Sequence, residues 1–424
     1  MITAPAFAGR RYGVFGLARS GRATVAALAA SGADVWAWDD GAAARDAFTG
    51  PLTDLNSADL AGLAAIVVSP GVPHSAPIFA RAAAAGVPVV GDIALFAQAR
   101  AAMPPHQVVG ITGTNGKSTT TALVHHLLVA AGRAAAMGGN IGLPILAQDP
   151  LPAGGTWVLE LSSYQLEITQ SLACDVAVLT NITPDHLERH GSMAAYAGAK
   201  ARIFQQQRGG LAVVGDTGGH DVLAGHDGPV VRIADVTCPG DQADWPALQG
   251  PHNLDNARAA VAAVRALGLG DAEIAAGLKS FPGLPHRMER LGVKRGLDWV
   301  NDSKATNADS TAPALKAFRN VHWIAGGRPK RDAAGRADLA AVLPHLGAVK
   351  RAYLIGEAAA EFAGILQPHL PVVISGTMAQ AVRDVLDVAA PGDVVLLSPA
   401  CASFDQYTDF EARGDDFRAL VGAL

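Results

Sequence analysis

Gly113-Thr114-Asn115-Gly116-Lys117-Ser118-Thr119 is the stretch whose reading decides the fold. The apolar run before it, Val108-Val109-Gly110-Ile111, reads as a buried strand, and Thr120 to Leu128 after it reads as a helix. A glycine-rich turn between strand and helix is a phosphate cradle. Its backbone N–H groups converge on one point, and the helix N-terminus adds partial positive charge. Lys117 is placed to reach the terminal phosphates of a nucleotide and the Ser118 hydroxyl to sit on magnesium. The usual loop of this kind carries four residues between its glycines, which would demand glycine at Ile111. This loop is shorter, so it is a variant.

Composition agrees with a nucleotide-binding α/β protein. A chain of 424 residues suggests about three domains. Half of it is hydrophobic and only 5% is aromatic, and an Ala/Val/Leu-rich core suits helices packed on parallel sheets. The net charge of −5 leaves no electrostatic footprint for nucleic acid. No apolar run approaches the ~18 residues of a membrane span, and Met1-Ile2-Thr3-Ala4-Pro5 does not read as a signal peptide. Three scattered cysteines, Cys174, Cys238 and Cys401, point to reduced, buried thiols and a cytoplasmic protein.

Along the chain, strands are expected at Tyr12–Leu17, Asp34–Asp39, Ala65–Ser69 and Val87–Val90, then at Trp157–Leu161, Val176–Thr180 and Leu211–Val214, and finally at Val321–Ala325, Ala352–Ile355, Val372–Ile374 and Val394–Leu397. Breaks at Met103-Pro104-Pro105-His106 and Phe281-Pro282-Gly283-Leu284-Pro285 divide them into three successive α/β units with mostly parallel sheets. Gly16-Leu17-Ala18-Arg19-Ser20-Gly21 is an imperfect dinucleotide fingerprint, with Asp39 at the next strand end. Close helix–strand packing explains it as well as nucleotide contact does.

Ligands gather at the C-terminal ends of parallel strands. Glu160 stands at such an end and suits a magnesium ligand or a strand-end cap. Thr183-Pro184-Asp185-His186 follows another strand and exposes an imidazole. Lys200 lies in an amphipathic helix whose pattern alone makes it a solvated lysine. Asn253 and Asn256 open a helix and either read an adenine edge or cap it. Asn301-Asp302-Ser303-Lys304-Ala305-Thr306-Asn307 is either a solvated loop or a polyanion site. Ser398-Pro399-Ala400-Cys401-Ala402-Ser403 leaves a strand in small residues, which lets backbone N–H groups approach a carboxylate.

Taken together these motifs resemble the bacterial Mur ligases. The phosphate loop, Glu160, and His252-Asn253 with Asn256 are shared with a wider group that includes folylpolyglutamate synthases. Gly139-Asn140-Ile141-Gly142, Gly283-Leu284-Pro285-His286-Arg287, Asn301–Asn307 and Ser398–Ser403 narrow the resemblance to the glutamate-adding member. It implies a Rossmann-like domain at 1–95 for a UDP-linked substrate, a phosphate-loop ATPase-like domain at 96–284, and a Rossmann-like glutamate domain at 285–424.

The residue roles it implies are these. Gly113 to Thr119, Asn253, Asn256, His286, Arg287, Asp302 and Lys304 would bind ATP. Ser118 and Glu160 would hold one magnesium, and His186 with a carbamylated Lys200 a second. Lys117, His186 and Lys200 would be catalytic. Arg19, Ser20 and Asp39 would meet the uridine diphosphate, and Asn140, Ser162 and His186 the muramoyl part. Thr306, Lys330, Ser403, Phe404 and Phe410 would surround the incoming glutamate, although Arg328-Pro329 replaces the acidic-Gly pair expected before Lys330. The implied substrates are ATP, UDP-N-acetylmuramoyl-L-alanine and D-glutamate, handled by a cytoplasmic monomer in peptidoglycan precursor synthesis. A folylpolyglutamate synthase would lack the first domain. A nucleotide-binding regulatory module would leave Glu160, His186 and the glutamate set unexplained.

Overall fold

Ten parallel strands form two sheets in the first part of the chain. β1 (Arg11–Phe15), β2 (Asp34–Trp38), β3 (Ala65–Val68) and β4 (Val89–Val90) pair in the order β2-β1-β3-β4. β5 (His106–Thr112), β6 (Ala135–Gly139), β7 (Gly155–Glu160), β8 (Val176–Asn181), β9 (Leu211–Asp216) and β10 (Val230–Arg232) pair as β10-β9-β8-β5-β7-β6. The computed structural model describes residues 1–331 and 335–424. They divide into two compact units, Met1–Pro282 and Gly283–Leu424, the division falling inside the Phe281–Pro285 break. Within the first unit one apolar core, running from Tyr12 and Val14 through Phe96 to Trp157, joins the two sheets.

The second unit adds β11 (Glu289–Lys294), β12 (Leu297–Asn301), β13 (Val321–Gly326), β14 (Arg328–Pro329), β15 (Val349–Ile355), β16 (Val372–Gly376), β17 (Val394–Leu397) and β18 (Cys401–Ala402). Six of these make a sheet ordered β11-β12-β17-β13-β15-β16, antiparallel only between β11 and β12. β14 and β18 form a separate antiparallel ribbon. The fully buried strands Ala65–Val68 and Val394–Leu397 are unbroken apolar runs, as sheets covered on both faces require. The architecture is thus α/β with three mostly parallel sheets.

Each sheet departs from sequential strand order, with β1 beside β3, β5 beside β8, and β13 beside β17. Crevices open at the carboxyl ends of strands at such switch points. The Gly16–Gly21 turn, the phosphate loop, and the Gly326–Arg328 and Ser398–Ser403 segments each leave one of these strand ends.

At the phosphate loop the packing is close. Gly113 has φ +144°, and a Cβ there would lie 1.9 Å from Thr180 Oγ1. Gly116 has φ +84°, and a Cβ there would lie 2.2 Å from Asn256 Oδ1. Gly113→Ala is therefore expected to destabilise the fold by on the order of 3 kcal/mol, through backbone strain and overpacking. Urea unfolding followed by circular dichroism measures this, and an unchanged midpoint would contradict the geometry.

Candidate functional site

The phosphate loop is locked from the neighbouring strand end. Register places Ile111 beside Glu160 and beside Val178, so β7 delivers Glu160 and β8 delivers Thr180 and Asn181 to the loop. Thr180 Oγ1 donates to the Asn115 carbonyl at 2.6 Å, and the Asn115 N–H donates to Asn181 Oδ1 at 3.0 Å. The helix begins at Lys117, with Gly116 as its left-handed N-cap, so Ser118 and Thr119 sit in its first turn. Lys117 Nζ donates to the carbonyls of Gly113 (2.9 Å) and Thr114 (2.7 Å). Asn256 is buried under Gly116 and donates to Asn253 Oδ1 at 3.1 Å. The cap of that helix is Gly250, so neither asparagine caps it.

Lys200 corrects the pattern-based reading. It is not solvated but 2% exposed, and its Nζ donates to the Gly113 carbonyl at 2.7 Å. The nitrogen also stands 4.6 Å from the Tyr196 ring centre, and Tyr196 Oη is 3.1 Å from Thr114 Oγ1. Burial first, and Lys117 second, push the Lys200 amine down to about 7, while Asp185 and Glu160 oppose the shift. The helical period hid this because Lys200 faces a polar loop rather than an apolar core.

Glu160 is also 2% exposed. Its Oε1 accepts from Asn140 Nδ2 at 3.0 Å, and Oε2 is buried without a hydrogen-bond partner. An orphaned carboxylate oxygen beside a phosphate loop fits a magnesium ion. Such an ion takes one or two carboxylates and completes its shell with phosphate and water. No group of three His, Cys, Asp or Glu residues fit for a metal occurs among the described residues. His186 adopts a left-handed conformation (φ 52°) at the start of the Leu187–His190 turn, and its Nδ1 lies 3.0 Å from Tyr164 Oη. Ser162 caps the Ser163–Glu167 helix in a capping box with Gln165.

The first sheet's turn is built around Asp39, which accepts from the Leu17 N–H (2.6 Å) through one oxygen and the Gly41 N–H (2.8 Å) through the other. Ser20 is half-buried in the first turn of the Arg19–Ala30 helix. Arg19 Nη2 donates to the Gly142 carbonyl at 2.9 Å, joining this turn to the Asn140 loop. Arg19, Asn140, Glu160, the phosphate loop and Lys200 therefore form one connected series.

In the second unit, His286 (φ 60°) is buried beside Asn301 and against Gly414, where a Cβ would lie 2.1 Å from its Nδ1. Asp302 is buried, accepting from Ser398 Oγ (2.8 Å) and the Met288 N–H (3.1 Å), and burial raises its carboxyl to about 7. Lys304 Nζ stands 5.2 Å from the Phe410 ring centre. Arg287 is exposed, Thr306 half-buried, Ser403 buried and Phe404 62% exposed. Lys330 is exposed, and the register of the ribbon sends Lys330 and Ser403 off its opposite ends.

Arg413 is a further buried polar residue of this unit. It is 1% exposed and donates to Ser303 Oγ (2.9 Å), the Ser303 carbonyl (2.8 Å) and the Cys401 carbonyl (3.1 Å). It thereby pins the Asn301–Asn307 loop to β18. An arginine inside the sequence of a polar helix carries no pattern that would reveal this.

A family model described as the Mur ligase middle domain matches residues 111–225, and one described as the Mur ligase glutamate ligase domain matches residues 286–401. The UDP-N-acetylmuramoylalanine–D-glutamate ligase of Novosphingobium aromaticivorans is 56% identical over all of this chain and 97% of its own length. That of Zymomonas mobilis is 49% identical over the whole of both chains. The chain belongs to the Mur ligase family. It is thus an ATP-dependent ligase. Solved structures share the fold. The UDP-N-acetylmuramate–alanine ligase of Thermotoga maritima matches with TM-score 0.59 at 17% identity, over 98% of this chain and 99% of its own. The bifunctional folylpolyglutamate synthase/dihydrofolate synthase of Yersinia pestis matches with TM-score 0.55 at 19% identity, over 78% of this chain and 94% of its own.

A pH dependence follows from Lys200. Between pH 7 and 10.5 the unfolded chain binds a proton here that the folded chain does not, so this group makes stability rise with pH across that window. Lys200→Met removes that slope. Its stability relative to the parent is expected to fall as pH rises from 6.5 to 9, measured by urea unfolding at each pH. A difference independent of pH would show an amine with an ordinary affinity for protons.

Proposed function

We propose that this chain joins D-glutamate to UDP-N-acetylmuramoyl-L-alanine, driven by ATP, in the cytoplasmic synthesis of peptidoglycan precursors. The reading is carried by one observation: Lys117 and Lys200 converge on the Gly113 carbonyl beside the orphaned oxygen of Glu160. The relatives' names and their identity along the whole chain supply the substrates.

In the reaction, a carboxylate oxygen of the muramoyl-alanine attacks the γ-phosphorus of ATP. The bond to ADP breaks, and an acyl phosphate forms. The glutamate nitrogen then attacks the acyl carbon, loses a proton, and inorganic phosphate leaves. Lys117, the loop N–H groups and the helix N-terminus neutralise charge on the transferring phosphoryl group. Asn140 holds Glu160 in place, and Ser118 with Glu160 would hold one magnesium. His186 and Lys200 would hold a second, Lys200 as its carbamate, since an ammonium would repel a cation. Carbamylation needs a neutral amine to attack carbon dioxide, and a buried lysine brought down to about 7 provides one near neutral pH. Magnesium would supply charge neutralisation across the phosphates.

The remaining assignments follow the same reading. Arg19, Ser20 and Asp39 serve the uridine diphosphate end, and Ser162 the muramoyl part. Gly113 to Gly116, Thr119, Asn253, Asn256, His286, Arg287, Asp302 and Lys304 serve ATP. Thr306, Lys330, Ser403, Phe404 and Phe410 serve glutamate. Domains at 1–95, 96–284 and 285–424 divide these tasks in a monomer.

Lys117→Ala is expected to lower phosphate release by on the order of 10²–10³ while leaving the circular dichroism spectrum unchanged. Activity within a fewfold of the parent would remove the phosphate-loop assignment. For the amino acid, D-glutamate is expected to be ligated in preference to L-glutamate, D-aspartate and meso-diaminopimelate. A site that pairs both carboxylates rejects an analogue that misplaces one by roughly 10⁴–10⁵. Ligation assays with each amine supplied separately test this, and equal turnover of L-glutamate would refute the stereochemical part alone.

A further inference from the structure

Behind the turn that carries His186 lies a carboxylate that the reaction as described does not use. Glu167 ends the short Ser163–Glu167 helix, and three side chains converge on it. Arg189 Nη2 lies 3.3 Å from Oε2, His74 Nε2 lies 3.4 Å from the same oxygen, and His190 Nδ1 lies 3.0 Å from Oε1. His190 is almost wholly buried, at 1% side-chain exposure, and its Nε2 is 3.0 Å from Ser163 Oγ. With Nδ1–H donating to Glu167, Nε2 accepts from the serine, so both ring nitrogens are fixed to one helix. The Arg189 guanidinium stacks 3.7 Å from the Tyr164 ring centre, and Tyr164 Oη meets His186 Nδ1 at 3.0 Å.

The consequence is mechanical. The Leu187–His190 turn is only four residues long and is bounded by left-handed residues, His186 (φ 52°) and Gly191 (φ 73°). So short a helix has little stability of its own. Bonds from Arg189 and His190 to Glu167 and Ser163 hold the turn from behind, while the His186 ring lies between Tyr164 Oη on that same helix and Asp185, whose Oδ2 is 3.5 Å from Nε2. His74, from the segment between β3 and the Pro77–Ala84 helix, ties the first sheet to the same carboxylate.

We propose that Glu167 is a positioning residue for the reaction: by gathering Arg189, His190 and His74 it sets the orientation of His186 toward the second metal. The inference rests on the reading of His186 as a metal-holding residue. Partners that orient a metal-binding histidine typically cost 10–100-fold in metal affinity or activity when removed.

The test is Glu167→Gln in the full chain, which keeps size and removes the charge. Mn²⁺ binding in the presence of ADP is read by electron paramagnetic resonance, and ligation is assayed across magnesium concentrations. The expected result is at least 10-fold weaker Mn²⁺ binding at one site and a matching rise in the magnesium needed for half-maximal rate. The KM for D-glutamate stays unchanged, and Glu167→Asp recovers part of the loss. Parental Mn²⁺ binding and magnesium dependence in Glu167→Gln would overturn the proposal. So would a loss of rate that only tracks the folded fraction in thermal melts. His186→Ala separates the two readings. If it keeps parental Mn²⁺ binding and activity, the role given to His186 fails and this proposal with it. If it loses both while Glu167→Gln does not, the positioning role alone fails.

Discussion

Two lysines share one carbonyl oxygen. Lys117, from the helix after the phosphate loop, and Lys200, from a helix far along the chain, both donate to Gly113, at 2.9 and 2.7 Å. Two ammonium groups that close, one of them buried, cannot both keep full charge cheaply. The chain resolves this by exposing Lys117 more and letting Lys200 fall to about 7. The glycine is what permits the convergence, because any side chain at 113 would collide with Thr180. One position thus joins the shape of the loop, the convergence of two amines, and the lowered proton affinity of one of them.

The second unit depends on a comparable device of opposite character. Arg413 keeps its charge, at about 10, without a carboxylate in its hydrogen-bond set, and spends its donors on a serine and two main-chain carbonyls. A buried guanidinium so placed fixes geometry, since its Nε, Nη1 and Nη2 each donate to an acceptor in a direction set by the planar fork. The loop it fixes carries Asp302, Lys304 and Thr306.

The long apolar strands were legible because parallel sheets covered on both faces print as continuous Val/Ile/Leu runs, as at Ala65–Val68 and Val394–Leu397. β6, Ala135–Gly139, was not legible: Ala-Ala-Met-Gly-Gly has no β-branched residue and is a strand only because β7 pairs with it. The hairpin of β11 and β12 escaped for a related reason, since its outer strand is mostly exposed. Motif residues held to the backbone by their own chemistry, such as Gly113, Gly116 and Glu160, were recognisable from type and spacing. Lys200, Arg413 and Glu167 were not, because their meaning lies in partners distant in sequence. The helical period made Lys200 a surface residue, and only the tertiary contact with Gly113 overrides it.

Burial and hydrogen bonding alone do not mark a working group, and this chain contains the counterexample. His322 lies buried between Tyr353 Oη (2.8 Å) and Asp393 Oδ2 (3.1 Å), an arrangement that resembles a catalytic triad. It stands near the start of β13, however, and Asp393 immediately precedes β17, so the group belongs to the amino ends of the strands, away from the switch-point crevice. Its valences are also spent: Asp393 accepts in addition from the Ala390 N–H and from Lys350. Glu160 differs on both counts. It ends its strand at the carboxyl edge and keeps one buried oxygen without a partner. An unpaired buried carboxylate oxygen costs stability unless something completes it. A closed network offsets its own desolvation, whereas the Glu160 carboxylate, at a strand's carboxyl end, leaves one buried oxygen with its desolvation uncompensated.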